Sequence, residues 1–198
     1  MSIHLRSLLA LGLAPAALLA AADPAPARFN GATPVEWSVK LADSEIARRG
    51  DRHFFGANDR ARIDYTTSFF GTALVKLADR TGNQAYADYG LKFGLSFVAP
   101  DGSIRTYKLE DYNIDSIPPG KVMLLAWERG NHSPELRKAI DALYHQMQKH
   151  PRTSDGGFWH KLRYPNQMWL DGLFMASPFL AHYGKVFQEP AAFDEVAK

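Results

Sequence analysis

The chain has 198 residues, 46% of them hydrophobic and 12% aromatic, enough to bury the core of one domain. Its formal net charge of +2, with no basic run or Lys/Arg stripe, gives no footing for nucleic-acid binding, and the lack of cysteine excludes disulfides, thiolate metal sites and a lipid-bearing amino-terminal Cys. No segment approaches about 18 uninterrupted apolar residues, so no membrane span is expected.

Residues 1–22 read as a secretory signal: His4 and Arg6 in a short basic region, an apolar stretch from Leu8 to about Leu19, and Ala20-Ala21-Ala22 before Asp23. Cleavage there predicts a periplasmic or secreted protein whose single domain covers 23–198. The spacing then predicts six helices and no regular strands. The first opens on Thr33-Pro34-Val35-Glu36, an N-cap, a first-turn proline and a capping-box Glu, and runs to about Arg48. A second runs from about Tyr65 to Arg80, stopped by Gly82, and a third from Gln84 to about Phe97. The fourth covers Pro119 to about Arg129, the fifth runs from Ser133-Pro134-Glu135 to near His150, and the sixth spans Leu170 to Tyr183 with Gly184 as its stop.

Two kinds of helix alternate. The fifth puts Leu136, Ile140, Leu143, Tyr144 and Met147 on one face, as a helix with a solvent side should, and the first and third read similarly. The second, fourth and sixth are apolar nearly all round and are expected to be buried on every side. Exposed helix followed by buried helix, three times over, predicts an array of helical hairpins that could close into a ring with the buried helices inside. Three hairpins form part of such a ring, and Glu189-Pro190-Ala191-Ala192-Phe193 looks like the approach to another helix, so further carboxy-terminal sequence is expected.

The notable polar residues gather where the inner helices begin: Tyr65 at the start of the second helix, Tyr112-Asn113-Ile114-Asp115 just before the fourth, and His160 through Trp169 and Asp171 before and at the start of the sixth. Equivalent ends of inner helices lie on one face, which should gather these residues around one pocket where free helix N–H groups favour an anion. Each also has a plain structural reading. Asp171 fits a first-turn carboxylate complementing the helix dipole, Asp115 a turn residue, His160 a satisfied core histidine and Trp169 a packing residue. Met175 fits the core, and Arg152 a cap on the fifth helix. No GxSxG, Walker loop, GxGxxG or HExxH occurs, and His145 and His150 do not share a helix face, so neither a metal nor a cofactor is expected.

The segments HPRTSDGGFWHK and YPNQMWLDGLFMASPF, with Tyr112-Asn113-Ile114-Asp115 and Pro119-Gly120, resemble glycoside hydrolase family 105, the unsaturated rhamnogalacturonyl hydrolases, related to the unsaturated glucuronyl hydrolases of family 88. The resemblance runs from about Trp37 to Lys198. It implies an all-α (α/α)6 barrel, of which this chain would hold the first three hairpins. The implied reaction removes a 4,5-unsaturated uronic acid from lyase-generated oligosaccharides by protonating C4 and hydrating the double bond, with rhamnogalacturonan products as the first substrate class. It implies Asp171 as general acid/base, Asp115 assisting it, His160 and Trp169 holding the sugar, and Met175 lining the pocket. Tyr65, Tyr112 and Arg152 are further candidates for substrate binding. Ile63-Asp64-Tyr65 departs from the family, which usually has a Trp shortly before the Tyr. Two other readings stand beside this one: a two-carboxylate glycosidase on saturated sugars using Asp115 and Asp171, and a non-catalytic carbohydrate-binding half-barrel.

Overall fold

The computed structural model describes residues 27–52 and 62–198, so the predicted signal at 1–22 lies outside the described residues. Among the described residues seven α-helices follow in order: α1 (Pro34–Arg49), α2 (Tyr65–Thr81), α3 (Gln84–Leu95), α4 (Pro119–Glu128), α5 (Pro134–Lys149), α6 (Leu170–Phe187) and α7 (Pro190–Ala197). Among the described residues only isolated antiparallel bridges occur, Phe29 with Ala32, Val98 with Ile104 and Arg152 with Phe158.

Local chemistry sets most helix ends. The Thr33 hydroxyl accepts the Glu36 N–H at 3.2 Å while the Glu36 carboxylate accepts the Thr33 N–H at 2.6 Å, the reciprocal capping box. Asp64 caps α2, Asn83 caps α3 and Ser133 caps α5, each by accepting a first-turn N–H. Gly82, at φ +75°, ends α2 in the left-handed conformation. Gly184, expected to stop the sixth helix, lies inside α6, which continues to Phe187 and turns at Gln188. The glycine serves packing instead: a Cβ there would come within 2.9 Å of the Phe193 ring and 3.0 Å of the Glu189 carbonyl, where α7 folds back over α6.

α2, α4 and α6 form an inner layer, with α3 packed across α2 and α4, α5 against α4 and α6, α1 on α2 and α7 on α6. This is the arrangement of a partial helical-hairpin barrel. Two apolar cores result, one around Leu74, Val75, Ala87 and Phe93 and a larger one around Met123, Leu124, Leu143 and Phe179. Only α4 meets the expectation of a helix buried all round, since Val122, Met123 and Leu124 are fully buried. α2 and α6 each keep an open face, with Phe69 60% exposed and Leu170 86% exposed. The reason is position: α4 has an inner neighbour on both sides, whereas α2 and α6 each have one. At the α2–α3 crossing the two backbones touch, and a Cβ on Gly90 would stand 2.6 Å from the Gly71 carbonyl oxygen. Gly90→Ala should therefore lower the free energy of unfolding by about 1–3 kcal/mol in spite of alanine's better helix propensity. Urea titration reads this directly, and an unchanged midpoint would refute the close approach.

Candidate active site

Two long connections lead into inner helices, 96–118 before α4 and 150–169 before α6. They are bonded to each other. The Ile114 N–H donates to the His160 carbonyl at 3.1 Å, and the Leu162 N–H to the Asp111 carbonyl at 3.4 Å. The neighbours of those residues, Asp115 and Lys161, are thereby brought face to face.

Asp115 sits in a single 3-10 turn, Ile114–Ser116, where the Asn113 side chain accepts its N–H at 3.1 Å. Its carboxylate is almost wholly buried, with Oδ2 at 2.6 Å from Lys161 Nζ and Oδ1 at 3.6 Å from His160 Nε2. His160 is fixed through its backbone N–H to the Gln167 carbonyl at 2.7 Å. Its ring lies parallel to that of Trp169, centroids 4.1 Å apart, and Trp169 in turn lies nearly parallel to Tyr164 at 5.4 Å. Asp171 occupies the first turn of α6 with its side chain 53% exposed, and its Oδ1 lies 4.0 Å from His160 Nδ1. Burial pushes the His160 imidazole below its ordinary pKa; the Asp115 carboxylate pulls it back up and the Lys161 ammonium reinforces the burial. Burial favours the uncharged ring, and its buried Nδ1 has no hydrogen-bond partner among the described residues.

Asp115, His160 and Asp171 bring one ligand-type atom each within 4.8 Å of one another. That spacing suits a small cation, but the Lys161 ammonium on Asp115 already supplies positive charge and opposes a second one. Beside the cluster, Arg62, Lys161, Arg163, Glu110, Asp111 and Asn113 line an open cleft of about 400 Å³. Three cations against two carboxylates make it suited to an acidic ligand.

The remaining candidates are placed differently. Met175 is buried in the core behind the first turn of α6. Tyr112, in a left-handed conformation at φ +37°, packs edge-on against His150 at 5.7 Å. Tyr65 begins α2, partly exposed, and among the described residues makes no hydrogen bond or ring contact with Asp115, His160 or Asp171. Arg152 pairs with Glu195 of α7, donates to the Gly156 carbonyl and lies 3.8 Å from the Phe158 ring centroid, so its guanidinium is committed elsewhere.

Sequence reasoning passed over Lys161 and Tyr164, which stand in the cluster. A lysine and a tyrosine in a polar connection look like solvated side chains, and the adjacency of Lys161 to His160 is the only signal. Gln146 was also passed over. It is fully buried on the apolar face of α5, and an amide among Leu143, Tyr144 and Met147 is the mark that could have found it.

The family model described as Glycosyl Hydrolase Family 88 matches residues 37–198. Among solved structures, this chain is similar to a glycoside hydrolase from family 105 of C. acetobutylicum ATCC 824, with 34% identity and a TM-score of 0.69. The likeness covers 81% of this chain and 42% of that one, so the chain spans less than half the length of this relative. With the family model running through α1 to α7 and through every residue of the Asp115–His160–Asp171 cluster, this chain belongs to glycosyl hydrolase family 88, with family 105 as its structural kin.

Proposed function

We propose that the protein removes a 4,5-unsaturated uronic acid from the non-reducing end of lyase-generated oligosaccharides, with rhamnogalacturonan products as its substrates. The observation that carries this reading is an exposed Asp171 carboxyl beside a buried His160 whose Nδ1 has no hydrogen-bond partner among the described residues. Asp171 donates its proton to C4, the electron pair of the C4=C5 bond forms the new C4–H bond, and the positive charge is shared by C5 and the ring oxygen. Asp171, now a carboxylate, takes a proton from the water that bonds to C5. The hemiketal opens to a 5-keto form, and the hemiacetal left at C1 breaks down to free the sugar. Asp115, held by Lys161, keeps the His160 ring oriented, while Trp169, 42% exposed and backed by His160, offers a stacking face to the sugar. The basic side of the neighbouring cleft suits the acidic remainder of the chain.

Direct displacement on a saturated sugar fits less well. An inverting pair needs carboxyls about 6.5–9.5 Å apart, whereas one oxygen of Asp115 and one of Asp171 come within 4.8 Å of each other. A retaining pair needs a free nucleophile, whereas Asp115 is buried between Lys161 and His160. The second reading that an observation favours is a non-catalytic sugar-binding half-barrel, because the Trp169 ring, 42% exposed, offers a stacking face whether or not Asp171 reacts. The same proposal includes export, on the sequence of residues 1–22 alone, with a mature terminus near Asp23 that mass spectrometry of the exported protein would read.

The test is the ultraviolet absorbance of the conjugated double bond. The protein is expected to abolish it on rhamnogalacturonan lyase products. An unchanged absorbance on rhamnogalacturonan, ulvan and glycosaminoglycan products would overturn the reading. Calorimetric binding of the same sugars without turnover would select the half-barrel, and sugar release from saturated substrates the two-carboxylate glycosidase.

A further inference from the structure

α6 carries a proline in its interior, Pro178. A helical proline has no N–H for the carbonyl four residues back, and its ring pushes that carbonyl outward. Here the carbonyl belongs to Phe174, less than one turn beyond Asp171. It is not orphaned. Lys121 of α4 donates from Nζ to the Phe174 carbonyl oxygen at 3.0 Å, and the same ammonium lies 3.6 Å from the centroid of the Phe174 ring.

Lys121 is 8% exposed, and its described partners include no carboxylate. Burial pushes its pKa down to about 8, with Lys76 of α2 adding to the shift. An unpaired lysine is costly in that position, and the sugar chemistry proposed above does not use its charge. The first turn of α6 is packed on one side, where Gly172 and Met175 are buried. On the other its N-cap, Trp169, makes no side-chain cap and Leu170 and Leu173 are 86% and 49% exposed, so the turn that bears Asp171 is held from the inner side alone.

We infer that Lys121 is a positioning residue: it supplies the hydrogen bond that Pro178 cannot, ties the start of α6 to α4 and so holds Asp171 against His160. The inference rests on the reading of Asp171 as the general acid/base. Thermal stability alone does not test it, because replacing Lys121 both relieves the buried charge and strands the Phe174 carbonyl, two effects of opposite sign.

A double-mutant cycle does. Pro178→Ala returns an N–H to the position that can serve Phe174, and should leave kcat near that of the parent. Lys121→Met should lower kcat about 10- to 100-fold with KM within a few-fold, the size of effect expected when a reacting group is displaced by about 1 Å. In the Pro178→Ala background the same Lys121→Met change should cost less than about threefold. Equal losses in both backgrounds would overturn the link. K121Q, which keeps an N–H donor without the charge, should hold kcat within a few-fold of the parent, and a loss as large as that expected of K121M would overturn the inference.

A readout that needs no turnover is the carbon-13 titration of the Asp171 carboxyl. K121M and K121M/P178A both lack the lysine charge, so a difference between their Asp171 titration curves reports position alone, and identical curves would overturn the inference. If the parent protein turns over no unsaturated uronide, the general acid/base reading of Asp171 falls, while the titration still decides whether Lys121 positions it.

Discussion

Asp171→Asn is expected to lower kcat on unsaturated oligosaccharides roughly 10²- to 10⁴-fold, with KM within a few-fold of the parent. The carboxamide has the volume of the carboxyl and leaves the start of α6 intact, but it neither donates a proton to carbon nor accepts one from water. The Asp171 side chain makes no hydrogen bond within the protein among the described residues, and its Oδ1 lies 4.0 Å from His160 Nδ1. Little folding energy is therefore at stake, and the unfolding midpoint should stay within the scatter expected for a surface substitution. Asp115→Asn makes the contrast: it weakens the 2.6 Å contact to Lys161 in a buried place, so its loss of activity should come with a loss of stability. Initial rates from the decay of double-bond absorbance, with urea midpoints on the same preparations, separate the two. A D171N variant that retains kcat within threefold would remove Asp171 from the chemistry.

The contrast between these carboxylates was only partly legible in the sequence. Helix starts were readable because they are local: Thr33 and Glu36, three residues apart, specify their own capping box. The hairpin rhythm was readable because apolar periodicity distinguishes α5 from α4. What periodicity cannot tell is how many neighbours an apolar helix finds, so α2 and α6 were read like α4 although each has one inner neighbour. Gly184 carried the usual signature of a stop, yet the residue that decides its role is Phe193, on the next helix. The site shows the same division. Asp115, His160 and Asp171 could be associated through equivalent helix ends, but their separate environments come from nonlocal contacts, the Ile114–His160 bond and the Lys161–Asp115 pair. Arg152 was readable as a helix cap or a cation for the substrate, and neither reading finds its partner, Glu195, which lies far along the chain on α7.

Nonlocal contacts also give His150 a role that sequence spacing hid, and acid should expose it. His150 is buried, its Nε2 at 2.7 Å from the Trp159 carbonyl and its Nδ1 at 3.3 Å from the Gln146 amide nitrogen. The Gln146 amide is itself oriented, its oxygen accepting the Tyr107 hydroxyl at 2.7 Å and its nitrogen donating to the Asn113 carbonyl at 3.2 Å. Nδ1 must therefore accept and Nε2 donate, which is the neutral ring. Burial pushes the pKa of His150 down to about 4, partly opposed by the Trp159 carbonyl, from 6.5 in the unfolded chain. Between those values the unfolded chain binds a proton that the folded one refuses, so stability falls as pH drops from 6.5 and levels off, for this residue, below about 4. The loss amounts to about 3 kcal/mol across that window. His150→Gln, which does not titrate, should flatten the acid limb of the stability profile by a comparable amount; urea unfolding from pH 7 to pH 4 measures it, and superimposable slopes would refute the assignment. Asn113 and Trp159 are two residues before Asp115 and one before His160. The network thus anchors both connections of the site, and because the folded chain takes up this proton only near pH 4, activity should hold through the window in which stability falls and decline as the pH approaches about 4.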